Sequence, residues 1–350
     1  MFLELTQRCQ PDCADCAEAR GAPDSPGVPG APDSPDAPDS PDFGLELMRD
    51  LLPELGVFGV TSISLLGGEP VLHPRFGELL ALLCRAPLAL GLHSHGWHVP
   101  RYLMELAPYQ DRIAHVTLTL RAPADPSSSS AAARDATRIL EAIDAYRAAG
   151  YPVHVEVPVD RASMTQLLAV GERLASRDVT LHLRAPLTAL AGAAWHTAPE
   201  ASATLVSQIQ TLKLRLRERI ALEPSVGFSH VYSFCSNFTL MDKVLLRADG
   251  EVLFCHRCRA GDAAAGHLGT LGPDGMLGAT GPDGALGPTG PDGMNGATSA
   301  TRQLGPILER HPAKVGAIWS ARLAVMATTT PTASNNCEFC LEVLRSTSRA

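Results

Sequence analysis

The sequence predicts an α/β fold built on a parallel sheet, and two patterns carry that prediction. Helical apolar segments alternate with short strands through the first 222 residues, as in parallel sheets joined by right-handed crossover helices. Within the strands, aliphatic residues alternate with polar ones. Because side chains alternate between the two faces of a strand, we expect one face to pack against helices and the other to line a polar lumen.

Strands and helices are predicted to form six strand–helix units. The predicted strands are Phe2–Thr6, Ser62–Leu66, Leu88–Ser94, His115–Leu120, Val153–Val159 and Val179–Arg184. The predicted helices are Phe43–Leu55, Pro74–Cys84, Arg101–Pro108, Ala131–Ala149, Met164–Ser176 and Ala201–Arg219. A closed eight-stranded barrel fills its interior with branched apolar side chains. The polar strand positions therefore favour an open barrel; a sheet with one solvated face is the alternative, which is rare for parallel sheets.

Two motifs follow the first two predicted strands. Cys9, Cys13 and Cys16 lie in one short loop, and thiolates are the usual protein ligands of iron–sulfur clusters. Three thiolates leave one iron of a cubane open, whereas a structural zinc ion, the alternative, needs a fourth ligand. The second motif is the turn Gly67-Gly68-Glu69-Pro70. Both motifs are expected at the C-terminal ends of strands, where strand–helix barrels build their active sites.

These two motifs resemble those of the radical S-adenosylmethionine (SAM) enzymes. The resemblance covers residues 1–222 and implies a partial (β/α)6 TIM-like barrel. It implies that Cys9, Cys13 and Cys16 bind a [4Fe-4S] cluster whose open iron binds SAM. It also implies that SAM is held by Gly67, Gly68, Glu69 and Pro70, with Thr119 near the ribose. The pattern departs from the family at Ser94-His95-Gly96, where Thr-Asn-Gly is usual; a metal site on His93 and His95 is an alternative role for this segment.

The C-terminal part contains a predicted hairpin and five further cysteines. Val244–Ala248 and Glu251–Phe254 flank Asp249-Gly250, a two-residue turn that favours positive φ. The cysteines are Cys235, Cys255, Cys258, Cys337 and Cys340. Their spacing around the hairpin resembles the SPASM and Twitch domains, which implies a small auxiliary domain in residues 223–350 with a second [4Fe-4S] cluster. A zinc ribbon on the last four cysteines is the alternative, and it leaves Cys235 without a role.

Two low-complexity segments are predicted to be inserts outside the fold. Proline occurs at every third position from Gly21 to Asp42, which predicts an extended polyproline II segment. Glycine occurs at every third position from Gly266 to Thr298, a collagen-like pattern that needs three chains to wind together. We interpret both as expansions tolerated in surface loops. A docking role for the first and trimerisation through the second are the alternatives.

Composition limits the classes of partner. The net charge is −8 and no basic cluster is present, so no nucleic-acid or anionic-membrane partner is expected. No apolar run reaches the roughly 18 residues of a membrane span, and the N-terminus does not resemble a signal peptide. We therefore expect a cytoplasmic protein whose grouped cysteines bind metal. Cys84 lies alone on an apolar helix face and is expected in the core.

The resemblance implies an activity. SAM would be cleaved reductively to a 5′-deoxyadenosyl radical that abstracts hydrogen from a substrate in the lumen, with electrons from a ferredoxin or flavodoxin. The auxiliary domain favours a ribosomally made peptide or a protein side chain as substrate, which describes a peptide maturase. A small-molecule or cofactor-biosynthesis enzyme is one alternative, and a non-catalytic zinc or iron–sulfur scaffold is another. The sequence identifies no catalytic side chain.

Overall fold

The computed structural model describes residues 1–9, 41–121, 131–159, 163–184, 199–222, 244–255, 267–271, 304–308 and 340. The strands in these ranges are β1 (Phe2–Glu4), β2 (Ser62–Leu66), β3 (Ala89–Ser94), β4 (Ile113–Thr119), β5 (Val153–Pro158), β6 (Thr180–Arg184), β7 (Ile220–Leu222), β8 (Leu245–Leu246), β9 (Glu251–Leu253) and β10 (His267–Thr270). The helices are α1 (Leu45–Val57), α2 (Phe76–Cys84), α3 (Val99–Leu106), α4 (Ala131–Ala148), α5 (Leu167–Ala175), α6 (Pro199–Leu216) and α7 (Leu304–Leu308).

The described strands form one sheet in the order β10-β9-β8-β1-β2-β3-β4-β5-β6-β7. Strands β1 to β7 are parallel and pair in chain order. No pairing joins β7 to β10 within the described residues, so the sheet is open there. This confirms the predicted partial α/β barrel, with all six predicted strands present. The sequence did not predict β7, a three-residue strand beside β6.

The aliphatic strand positions form the core, as the alternation predicted. Leu3, Leu65, Leu92, Leu118 and Leu181 are each at most 1% exposed and belong to the main hydrophobic cluster. Helix α1 begins at Leu45, slightly later than predicted. Phe43 instead stays with the first strand, because its N–H donates to the carbonyl oxygen of Leu5 at 2.8 Å.

The predicted hairpin is present and extends the main sheet. Strand β8 pairs antiparallel with β9 and parallel with β1, a contact that the sequence did not predict. Gly250 in the turn has φ of +84° and packs closely against the carbonyl oxygen of Leu271. Any other residue there would be strained as well as crowded. Strands β8, β9 and β10 therefore extend the barrel sheet beyond the edge formed by β1.

The structure corrects one boundary of each predicted insert. Residues 267–270, placed in the collagen-like segment, form β10 and pair with β9. Asp42, placed in the proline-rich segment, pairs with Thr6. The residues at these two boundaries have main-chain partners in the sheet or beside it. The repeat pattern of the sequence does not reveal such partners. The predicted extended and collagen-like conformations concern residues outside the described ranges. In the described part of the chain, no helix has the length and apolarity needed to cross a membrane.

Candidate functional site

The turn Gly67-Gly68 lies directly against the chain that leads into the cysteine loop. The N–H of Gly68 donates to the carbonyl oxygen of Thr6 and the N–H of Glu69 to that of Arg8, both at 2.8 Å. A Cβ on Gly68 would collide with the Arg8 carbonyl and lie 2.8 Å from the Cβ of Cys9. A Cβ on Gly67 would lie 2.5 Å from the Thr6 carbonyl oxygen. The two glycines therefore permit a main-chain approach that no larger residue allows.

This approach brings together two motifs that are far apart in the sequence. Cys9 is only 5% exposed and follows the two residues that bond to the turn. Pro70 is buried and begins a short 3₁₀ turn, Pro70–Leu72, that leads towards α2. The first predicted cluster ligand and the predicted SAM-binding turn are thus neighbours at the C-terminal ends of β1 and β2.

Asp42 binds the residues that lead into the cysteine loop, Thr6 and Arg8. Its carboxylate accepts hydrogen bonds from the Thr6 hydroxyl at 2.6 Å and from the Arg8 guanidinium at 3.0 and 3.2 Å. The Arg8 and Asp42 side chains are each 21% exposed, and such charge-assisted, bidentate pairs are stronger than neutral hydrogen bonds. Sequence reasoning missed this pair, because 34 residues separate its members and no local pattern links them.

Glu69 is fully buried at 0% exposure, and protein groups surround its carboxylate. Its Oε2 accepts the main-chain N–H of His95 at 3.0 Å, and the Tyr102 hydroxyl donates to its Oε1. The same hydroxyl accepts the N–H of Val71 at 3.0 Å. Burial, followed by the nearby Glu69 charge, raises the pKa of Tyr102 well above its usual value. Tyr102 therefore stays protonated as a donor, and sequence reasoning did not single it out.

Thr119 ends β4 on the polar face, half-buried and next to Glu156 of β5 in the register. Glu156 forms an ion pair with Arg184 of β6, with Arg184 Nε 3.0 Å from Glu156 Oε2. Both side chains of this pair are largely shielded, at 22% and 13% exposure. The C-terminal ends of β4, β5 and β6 thus present a hydroxyl, a carboxylate and a guanidinium beside one another.

Three histidines of the same strands, β4, β5 and β6, stack against one another on the polar face of the sheet. The rings of His115 and His154 lie 4.2 Å apart at 14°, and those of His154 and His182 lie 4.6 Å apart at 26°. Burial lowers the pKa of all three, and for His154 the neighbouring histidines add to the effect, bringing its pKa to about 3. Gly91 makes room for the first ring, because a Cβ there would lie 2.6 Å from His115 Nε2. The stack is therefore uncharged at neutral pH.

The predicted metal ligands are only partly within the described residues. Cys255 and Cys340 are half-buried and pack against the core, whereas Cys13, Cys16, Cys235, Cys258 and Cys337 lie outside the described ranges. Among the described residues, no three or more His, Cys, Asp or Glu side chains are arranged to hold a metal ion, His93 and His95 included. Cys84, which the sequence predicted in the core, is half-buried and packs against the core instead. Burial raises the pKa of its thiol to about 11.

The fold and the site define an open parallel α/β barrel with a cysteine loop and a glycine turn on adjoining strand ends. Residues 3–161 match the radical SAM superfamily. The match covers a little under half of the chain, and this part of the chain is therefore similar to the radical SAM superfamily. No curated protein sequence matches the chain.

Solved structures with a similar fold include SuiB from Streptococcus suis. SuiB bound to precursor peptide SuiA has a TM-score of 0.51 and 13% identity, with coverage of 75% of this chain and 60% of SuiB. SuiB bound to S-adenosylmethionine has a TM-score of 0.47 and 12% identity, with coverage of 73% and 57%. The chain thus spans less than two thirds of the SuiB length. At this identity the likeness to the first structure shows a shared fold.

Proposed function

We propose that the protein is a radical SAM enzyme that modifies a ribosomally made peptide or a protein side chain. The observation that carries the proposal is the main-chain contact of Gly68 and Glu69 with Thr6 and Arg8, directly before Cys9. An iron-bound SAM must touch both the cluster loop and its binding turn. The contact between these two segments supports that arrangement, and a zinc scaffold would not need it.

The residues present fit a [4Fe-4S] cluster with SAM on its open iron. The loop that begins at Cys9 carries the three thiols that such a cluster needs, Cys9, Cys13 and Cys16. The adjoining turn has no side chain at Gly67 and Gly68, so its main chain lies directly against the residues that lead into this loop. When bound, the cluster and SAM would supply a 5′-deoxyadenosyl radical for hydrogen abstraction, while the protein orients the substrate and excludes water.

In this proposal the polar face of the sheet holds the cofactor and the substrate. Thr119 would lie near the SAM ribose, and the Glu156–Arg184 ion pair on the adjoining strands would offer both signs of charge to polar groups. The neutral histidine stack adds hydrogen-bonding groups without adding charge. A polar, partly shielded interior of this kind suits a polar ligand and disfavours an apolar one.

The peptide substrate and the auxiliary cluster are the finer parts of the proposal. SuiB, which has a similar fold, has been crystallised with a precursor peptide. The spacing of Cys235, Gly250 and Cys255 around the hairpin further supports an auxiliary domain in residues 223–350. Cys235 and Cys255 would bind its [4Fe-4S] cluster together with two of Cys258, Cys337 and Cys340; zinc is the alternative metal. A ferredoxin or flavodoxin would supply electrons.

Removal of single cluster thiols tests the activity. After anaerobic reconstitution with iron, sulfide and dithionite, Cys9→Ala, Cys13→Ala and Cys16→Ala should each reduce 5′-deoxyadenosine formation below detection, because two thiolates do not hold the cubane. Cys84→Ala is the matched control and should retain activity, since Cys84 is half-buried at the end of α2 and packs against the core. Wild-type levels of 5′-deoxyadenosine from the three variants would contradict the proposal.

The substrate class needs its own experiment. Peptides encoded beside the gene, synthesised with deuterated side chains, should transfer deuterium into 5′-deoxyadenosine when they are turned over. Transfer from a deuterated small molecule, with none from any of these peptides, would contradict the peptide assignment while leaving the radical SAM chemistry in place.

A further inference from the structure

The carboxylate of Glu69 joins three segments at the C-terminal end of the sheet. Through its side chain it accepts hydrogen bonds from Tyr102 in α3 and from the main chain of His95 after β3. Through its own N–H it is bonded to Arg8, the residue before Cys9. A single buried residue therefore ties the glycine turn to the loop after β3, to α3 and to the start of the cysteine loop.

Tyr102 bonds to the residue before Pro70 and to the residue after it. Its hydroxyl donates to the carboxylate of Glu69 and accepts the N–H of Val71, so one oxygen atom fixes the residues on either side of the proline. The Tyr102 ring is fully buried and packs edge-on against Phe76 at 5.7 Å. A group locked by packing and by two hydrogen bonds is well placed to hold its neighbours in one geometry.

We propose that Tyr102 is a positioning residue for SAM binding, and that Glu69 acts on SAM through this buried network and the main chain of the turn instead of by direct contact. The proposal rests on the proposed radical SAM function. Its basis is the complete burial of the Glu69 side chain, with both oxygens bonded to protein groups. In this proposal SAM would contact the main chain of residues 67–70, and the Glu69 side chain would hold that main chain in place.

Tyr102→Phe is the direct test, because it removes the hydroxyl and leaves the ring packing against Phe76. In the reconstituted full chain without SAM, amide hydrogen exchange at Val71 should become faster, since its acceptor is lost. SAM affinity, measured by equilibrium dialysis, should fall about tenfold, as expected for the loss of one hydrogen bond to a buried charged group. The rate of 5′-deoxyadenosine formation at saturating SAM should stay within about twofold, because no group at the reacting atoms changes.

Two further variants separate positioning from general damage. Tyr151→Phe is the matched control: Tyr151 is also buried, at 2% exposure, and packs edge-on against Tyr146. Its variant should leave both exchange and SAM affinity unchanged. Glu69→Gln keeps an acceptor for Tyr102 but places an amide N–H₂ near the His95 N–H. It should speed exchange at His95 and weaken SAM binding, and its effect should not add to that of Tyr102→Phe. This variant also serves if Tyr102→Phe does not fold.

The outcomes distinguish the two levels of the proposal. Unchanged exchange and unchanged SAM affinity in Tyr102→Phe would overturn the role of Tyr102. Weaker SAM binding by Glu69→Gln with wild-type exchange at His95 would show direct contact and overturn the indirect role of Glu69. A reconstituted wild-type protein that binds no SAM would overturn the proposed function itself, and with it the inference.

Discussion

Single residues on the polar face of the sheet make the stability of this protein sensitive to acid. His115, His154 and His182 are stacked, and burial lowers the pKa of each one. In the unfolded chain a histidine has its ordinary pKa of about 6.5. Below that pH the unfolded state therefore binds more protons than the folded state, and the free energy of unfolding falls. Glu156 and Arg184 form an ion pair beside the stack.

Replacement of the central histidine should weaken this dependence. His154→Phe retains an aromatic ring but cannot be protonated, so its free energy of unfolding should fall less between pH 7.5 and pH 5 than that of the wild type. Urea denaturation at the two pH values measures the difference. His98→Phe, outside the stack and at the start of α3, is the matched control and should show the wild-type loss. Equal losses in the wild type and His154→Phe would show that the stack does not cause the dependence.

At the scale of elements, the β2–α2 turn lies so close to the residues that lead into the cysteine loop that a larger residue would not fit. Gly68→Ala would place a methyl group against the Arg8 main chain, which is held by the Glu69 hydrogen bond. We expect a loss of about 1–3 kcal/mol in the free energy of unfolding, typical of overpacking, and less iron bound after reconstitution. Gly56→Ala in α1 is the matched control, since nothing lies within 4 Å of the added atom. It should leave stability unchanged or raise it by about 0.5–1 kcal/mol. A similar response of both variants to urea would contradict the crowding at Gly68.

The sequence predicted those elements whose signals are local. Alternation of aliphatic residues with His, Thr or Glu along β4 and β5 assigned the faces of the sheet, because strand side chains repeat every two residues. The pairing of Arg8 with Asp42 and the bond from Tyr102 to Glu69 connect residues 34 and 33 positions apart. No short-range pattern encodes such partners, since they become neighbours only when the sheet has formed. The parallel contact of β8 with β1 was missed for the same reason.

At the scale of the whole molecule, Asp42 sets the limit to which the proline-rich insert can be removed. Deletion of residues 21–40 keeps the three cysteines and the bonds of Asp42 to Arg8 and Thr6. The free-energy cost of loop closure depends only weakly on loop length. Stability and 5′-deoxyadenosine formation should therefore be retained. Deletion of residues 21–42 also removes the partner of Arg8 and Thr6, and should lower the free energy of unfolding by about 1–3 kcal/mol. Urea denaturation measures the free energy of unfolding of the two variants. Equal values for both deletions would show that the bonds of Asp42 to Arg8 and Thr6 do not stabilise the protein.

The metal content of the whole chain decides between the auxiliary cluster and a zinc ribbon. In the cluster proposal Cys235 is a ligand, so the anaerobically purified protein should hold about eight irons per chain and Cys235→Ala about four. Cys84→Ala, the control, should retain the wild-type iron content, because Cys84 is half-buried against the core at the end of α2. The triple variant of Cys9, Cys13 and Cys16 to Ala should remain brown from the auxiliary cluster. A ribbon needs only Cys255, Cys258, Cys337 and Cys340, and it would instead give a colourless triple variant with about one zinc ion per chain, unaffected by Cys235→Ala.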